Sequence, residues 1–263
     1  MPRFPTPEGF IHYQVTGPAQ APPLVLLHNF MSAGQAAWGP MVAELSQAYR
    51  VILPDLPGHG QSQGHPPEFS YREMARWLAS LLAREGALEG HLAGVSAGGM
   101  IAQWLIHQGL ARPRTLCLVS TTYSNNPATT RVPGRWTTAG FRPNERWLKA
   151  TARLHDPHHY AGYFQEVLLP AFRGHTPANT IDLSLDDLRE WRFPVCIVHG
   201  QEDQFFPPSI PEQMAQALPD AELHILPDQS HGLIFRRPWA VKRLLLDFLA
   251  RRGGDESPAP SNH

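Results

Sequence analysis

The chain has 263 residues, a length that suits one large α/β domain. Its 22 basic and 23 acidic residues give a formal net charge of −1, so no basic surplus exists to collect phosphates and nucleic acid is not an expected partner. The hydrophobic content of 42% allows a sizeable core, no run reaches membrane-spanning length, and two cysteines cannot make a disulfide framework; a cytoplasmic protein with no membrane association is the expectation. Residues 1–9 hold three prolines and no apolar run, unlike a signal peptide.

In chain order, residues 9–17 (GFIHYQVTG) alternate and predict an antiparallel edge strand. Short apolar runs follow at residues 24–28 (LVLLH), 50–54 (RVILP), 91–95 (HLAGV), 115–120 (TLCLVS), 195–199 (VCIVH) and 222–226 (ELHIL), bounded by Gly or Pro. Their near-continuous apolarity suits a parallel sheet covered on both faces. Cys117 and Cys196 lie inside two of these runs, which predicts a packing role for both. Between the runs, residues 70–85 place Met74, Trp77, Leu78, Leu81 and Leu82 at helical spacing. Residues 98–109 form a second helical stretch, and residues 238–251 a third with Val241, Leu244, Leu245 and Phe248 on one side. Strands alternating with helices predict βαβ units.

Residues 123–191 break this rhythm with no strand pattern. Residues 125–143 are rich in Thr, Asn, Pro, Gly and Arg; helical patterns follow at 145–155, 157–169 and 185–191. So long an insertion between sheet strands predicts a lid or binding element. The expected organisation is a core of residues 1–122 and 192–252, a helical cap of residues 123–191, and a disordered tail of residues 253–263.

Gly94-Val95-Ser96-Ala97-Gly98 is a G-x-S-x-G pentapeptide at the end of one predicted strand and the start of a predicted helix. A turn there takes a strained backbone conformation, and the close approach of strand and helix tolerates only small flanking residues, which Gly94 and Gly98 supply. The same sequence could be a glycine-rich turn without chemistry. A phosphate-binding Walker loop is excluded because no Lys follows the glycines. A serine hydroxyl is a poor nucleophile until a base takes its proton, and the base needs an orienting acid. Two segments just past predicted strands offer these groups: residues 200–207 (GQEDQFFP) and residues 226–232 (LPDQSHG). Glu202 and Asp203 are the acid candidates, and His231 is the candidate base.

Five motifs now stand in order: His28-Asn29-Phe30, residues 55–62 (DLPGHGQS), the pentapeptide around Ser96, residues 200–207, and Ser230-His231. Together they resemble the α/β-hydrolase fold family of the abhydrolase-1 type, which includes esterases, enol-lactone hydrolases and C–C bond hydrolases. The resemblance spans about residues 10–250. It implies an α/β class, α/β-hydrolase fold: a mostly parallel sheet of eight strands, or seven, with helices on both faces and a helical cap insertion. It also implies Ser96 as nucleophile, Asp203 as acid, His231 as base, and an oxyanion hole made by the N–H groups of Phe30 and Ala97. Asn29 departs from the family's usual Gly. Asn tolerates a positive φ better than most residues, and its side chain offers an additional donor.

The inserted segment carries His155, His158, His159 and His175, but Pro157 separates the first from the others and no H-E-x-x-H pattern occurs. No metal and no cofactor are expected. Asn29, Trp136, Tyr160 and Phe164 are expected to face the substrate, because small-molecule pockets are mostly apolar and aromatic. The expected activity is hydrolysis of a small or medium carboxylic ester, lactone or thioester through an acyl-enzyme, by a monomer or homodimer. An acyltransferase or a C–C bond hydrolase would use the same three residues. A non-catalytic ligand-binding protein on the same fold is the alternative of another class.

Overall fold

A computed structural model describes residues 2–132 and 137–253. At the amino end, β1 (Arg3–Thr6) and β2 (Gly9–Thr16) form an antiparallel pair, and β2 continues antiparallel against β4 (Arg50–Pro54). Beyond that pair every contact is parallel, through β3 (Pro23–Leu27), β5 (His91–Val95), β6 (Thr115–Val119), β7 (Val195–Gly200) and β8 (Ala221–Leu226). The described residues thus form one eight-stranded sheet in the order β1-β2-β4-β3-β5-β6-β7-β8. β1 has no counterpart among the predicted elements. It passes through Pro5, which an edge strand tolerates because one side of its ladder is unpaired. Arg3 also lies over the Phe10 ring, 4.3 Å from its centroid.

Period-two alternation sorts the strand residues into two cores. Val25, Leu27, Leu116, Leu118, Val195 and Ile197 enter one core, where they meet α2 (Tyr71–Arg84) and α3 (Ala97–His107). Leu24, Leu26, Cys117, Val119, Cys196 and Val198 enter the other, against α1 (Gly34–Leu45) and α10 (Pro238–Arg252). Cys117 and Cys196 are register partners on β6 and β7, both buried as free thiols. The Ser70 side chain accepts the Glu73 N–H and fixes the start of α2. Among the described residues no helix is long and apolar enough to cross a membrane.

The segment between β6 and β7 contains α4 (Pro127–Thr130), α5 (Glu145–His155), α6 (Leu169–Arg173) and α7 (Leu185–Arg189). Beyond β7 come α8 (Ser209–Ala217) and α9 (Leu233–Arg236). The helix predicted at 157–169 is displaced. Residues 156–158 form a 3₁₀ turn, a π-helical turn occupies Phe164–Leu168, and α6 runs on to Arg173. Asp156 caps the later start, accepting the N–H groups of Gly162 and Phe164 at 3.0 and 2.8 Å. The two ends of the segment meet in a neck. Ser124 and Asp182 form an isolated antiparallel bridge, and the Asp182 carboxylate accepts from the side chains of Ser124, Asn126 and Thr129 at 2.7–3.0 Å. Burial pushes this carboxyl's pKa up, but the three donors outweigh burial and hold it below the ordinary value.

Candidate active site

Ser96 follows β5 and opens α3 with φ 51° and ψ −114°. Its N–H donates to Val119 O at 2.9 Å, and its carbonyl accepts the Thr121 hydroxyl at 2.8 Å. A Cβ on Gly98 would lie 2.3 Å from the Leu27 carbonyl oxygen, and one on Gly94 would lie 2.5 Å from the Gly98 backbone. Both distances are impossible for real atoms, so the crossing of strand and helix requires glycine at each position.

Asp203 follows β7 and His231 follows β8. Their loops are tied together: Gln201 N–H donates to Leu226 O, Glu202 N–H to Gln229 O, and the His231 N–H to Gln204 Oε1. His231 Nδ1 lies 2.8 Å from Asp203 Oδ2, and its Nε2 lies 3.0 Å from Ser96 Oγ. With Nδ1–H donating to the carboxylate, Nε2 keeps its lone pair for the serine proton. The other oxygen, Asp203 Oδ1, accepts the N–H groups of Phe205 and Phe206 at 2.8 and 2.9 Å. Burial pushes the Asp203 carboxyl up, yet His231, His199 and the loop amides outweigh it and hold the group below its ordinary pKa. His199, at the end of β7, is fully buried beneath Asp203, with Nε2 2.8 Å from Phe206 O and 3.4 Å from Asp203 Oδ2. Desolvation lowers its pKa, so it stays neutral and braces the loop. Glu202 is exposed and takes no part.

The amide groups expected to meet an oxyanion come from two places. Ala97 is the first residue of α3, where the N–H groups lack intrahelical partners. Phe30 is placed by His28. The Leu56 N–H donates to His28 Nε2 at 2.8 Å, so the ring proton is on Nδ1, which donates to the Asn29 carbonyl at 2.7 Å. In a trans peptide the carbonyl and the following N–H point in opposite directions. Holding Asn29 C=O therefore fixes the direction of the Phe30 N–H. His28 is fully buried, and desolvation lowers its pKa, which keeps it in this neutral form. Asn29 is not among the described residues with positive φ, so position 29 makes no demand for glycine. Its Oδ1 is buried without a hydrogen-bond partner.

Above these groups lies a cavity of about 700 Å³, lined by Asn29, Phe30, Ser96, Ala97 and His231 on the sheet side. Phe141, Trp147, Phe172 and His175 line it from the inserted segment, and Phe205 and Phe206 from the loop after β7. Among the described lining residues there is no Asp, Glu, Lys or Arg. Burial lowers the His175 pKa to about 3, so it too is uncharged near neutrality.

Of the residues expected at the substrate, two described ones are not in this lining. Tyr160 is half exposed on the outer surface. Phe164 is fully buried, packed against Trp147 and His155. Trp136 lies outside the described residues. Aromatic type alone does not separate a cavity wall from a core or a surface. Conversely, Phe205 and Phe206 line the cavity without having been expected there; their adjacency to Asp203 is the signal for them in the sequence. Among the inserted histidines, His155 Nδ1 accepts the Gly60 N–H at 2.9 Å, and no cluster of three metal-ligating side chains occurs among the described residues.

The sequence profile of the alpha/beta hydrolase family matches residues 24–241, well over half of the chain. A provisional carbamate hydrolase, RutD, of Variovorax paradoxus is 28% identical over 268 residues, covering 95% of this chain and 99% of its own. The 2-hydroxymuconate semialdehyde hydrolase of Pseudomonas putida is 28% identical over 251 residues, 87% of each chain. Among solved structures, the esterase RhEst1 from Rhodococcus sp. superposes with a TM-score of 0.72 at 25% identity, over 95% of this chain and 98% of that one. The sheet order, the serine turn between β5 and α3 and the family profile agree: the chain is an enzyme of the alpha/beta hydrolase family.

Proposed function

We propose that this hydrolase cleaves a small or medium carboxylic ester, lactone or thioester by acyl transfer to Ser96. The observation that carries the reading is the His231 ring, 3.0 Å from the Ser96 hydroxyl and 2.8 Å from the Asp203 carboxylate. His231 Nε2 takes the hydroxyl proton as Oγ attacks the carbonyl carbon, while Asp203 holds the ring tautomer and stabilises the imidazolium. The oxyanion rests on the Phe30 and Ala97 amides. When the intermediate collapses, His231 gives the proton to the leaving oxygen or sulfur. Water then attacks the acyl-enzyme with His231 again as base, releasing the acid and restoring Ser96. In the same reading residues 123–191 act as a cap that closes the cavity over the serine.

The P. putida relative is named as a hydrolase of 2-hydroxymuconate semialdehyde and the V. paradoxus relative as a carbamate hydrolase, so C–C bond hydrolysis and carbamate cleavage stand as second readings on the same residues. A panel of short esters, lactones, thioesters, carbamates and vinylogous diketones separates them, and alcohol acceptors in the assay reveal any acyl transfer. Ser96→Ala or His231→Ala should lower turnover by roughly 10⁴–10⁶-fold with the fold intact, and Asp203→Asn by roughly 10²–10⁴-fold. Near-normal hydrolysis by purified Ser96→Ala protein would refute the nucleophile. Folded protein that a fluorophosphonate fails to label at Ser96 would point to a ligand-binding module instead.

A further inference from the structure

The cavity is chemically lopsided. Phe205 meets the His231 ring edge to face at 4.8 Å between centroids, and Phe206 meets it at 5.4 Å. From Phe205 the rings run outward without a break. Phe172 and Phe141 each lie 6.2 Å from Phe205, 5.2 Å from one another, and Trp147 lies 5.2 Å beyond Phe141. Asp203 holds the base of this wall in register with the imidazole, because one carboxylate oxygen binds His231 while the other binds the amides of Phe205 and Phe206.

Three polar side chains elsewhere in the cavity are bonded within the protein, while Asn29 Oδ1, on the sheet side, has no partner. The Ser124 hydroxyl donates to Asp182, the Asn125 amide to the Thr180 hydroxyl, and the Thr130 hydroxyl to the Asn126 carbonyl. They offer a substrate surface rather than recognition. The continuous surface that adjoins the imidazole is the aromatic wall.

The proton route says which part of a substrate meets that wall. His231 Nε2 must deliver the serine proton to the leaving oxygen, so that oxygen lies within hydrogen-bond reach of the imidazole. Its substituent then meets the rings that contact His231, which continue through Phe172 to the Phe30 ring at 5.9 Å. We propose that Phe205, with Phe172 and Phe141, forms a leaving-group subsite that selects uncharged esters of aromatic alcohols. This rests on the assignment of Ser96 as nucleophile and adds the identity of the group that departs. The first half-reaction converts an arylmethyl ester and Ser96 into an acyl-serine and a free arylmethanol; water then releases the acid.

Benzyl butyrate and ethyl butyrate test this cleanly. The two alcohols are of similar basicity, and both esters pass through the same butyryl-enzyme, so the ratio of kcat/KM reports binding of the alcohol part. The wild-type enzyme should prefer the benzyl ester by roughly 10–100-fold, the gain expected from burying one phenyl ring. Phe205→Ala should bring that ratio to within about threefold of unity. The ratio for ethyl phenylacetate over ethyl butyrate, which varies the acyl part, should stay where it was. Phe172→Leu should move the benzyl ratio in the same direction and stands in if Phe205→Ala fails to fold. A wild-type ratio near one overturns the subsite, as does a Phe205→Ala ratio equal to wild type. A Phe205→Ala protein that loses the phenylacetate preference instead assigns the wall to the acyl part and overturns it too. Failure of the nucleophile assignment looks different: no ester is turned over, and the fluorophosphonate leaves Ser96 unlabelled.

Discussion

Ser96 holds a backbone conformation that costs a residue with a side chain about 1–3 kcal/mol. The surrounding bonds to Val119 and Thr121, and glycines that admit no other packing, over-determine it. His28 plays the corresponding part for the amide of Phe30. His28→Leu removes both the acceptor for Leu56 N–H and the donor to Asn29 O, and should lower kcat by roughly 10²-fold with little change in KM. His28→Gln keeps one donor and one acceptor and should restore most of the rate. Equal kcat in the leucine and wild-type enzymes would remove His28 from the oxyanion site. At this scale the sequence was legible in placement: Ser96, Asp203 and His231, each read just past a strand, come within hydrogen-bond reach of one another. The roles of His199 and Phe205 depend on which atoms lie beside them in space, and no spacing announces that. Tyr160 and Phe164 show the converse, since their type suggested a cavity and their neighbours put them elsewhere.

Elements join through a few polar contacts. α5 reaches the turn after β4 through His155, whose Nδ1 accepts the Gly60 N–H, and the nearby Tyr163 hydroxyl donates to Gly58 O at 2.8 Å. The neck is a second tie, centred on Asp182. Asp182→Ala leaves three donors without their shared acceptor and should make residues 123–191 several-fold more sensitive to limited proteolysis, while β-sheet content by circular dichroism stays unchanged. Cleavage at the wild-type rate would show that the neck holds without its carboxylate. Strands with two buried faces were readable as continuous apolar runs. α1 was not, because Gly34, Gly39 and Pro40 hide a buried stripe of Ala37, Trp38, Met41 and Leu45. α8 was masked in the same way by Pro211, and β1 by Pro5. The helical turn that starts at Phe164, ahead of α6, reflects Asp156 accepting N–H groups six and eight residues on rather than at the next residue.

The molecule as a whole buries several histidines in neutral form. Desolvation lowers the pKa of His155 to about 3, and moves His28, His59 and His199 in the same direction. In the unfolded chain each titrates near 6.5. Between pH 6.5 and 3 the unfolded state therefore binds protons that the folded state refuses, and stability falls as the pH drops through that window. Each such histidine contributes up to about 1.4 kcal/mol per pH unit. Urea midpoints should be level above pH 7 and decline steeply from 6.5 to 4.5, with a shallower decline in His155→Gln. A midpoint constant from pH 7.5 to 4.5 would contradict this. The overall architecture was the most legible level, because alternation of strand and helix admits few topologies. The inserted segment was not, since its helices answer to a cavity rather than to the sheet. β6 and β7 are hydrogen-bonded neighbours, and the chain leaves one and returns to the other through the Ser124–Asp182 staple. What lies beyond the staple can be lengthened, shortened or exchanged while the platform beneath keeps its register. On the proposed reading of residues 123–191 as a cap, such changes would alter recognition and leave the groups after β5, β7 and β8 in place.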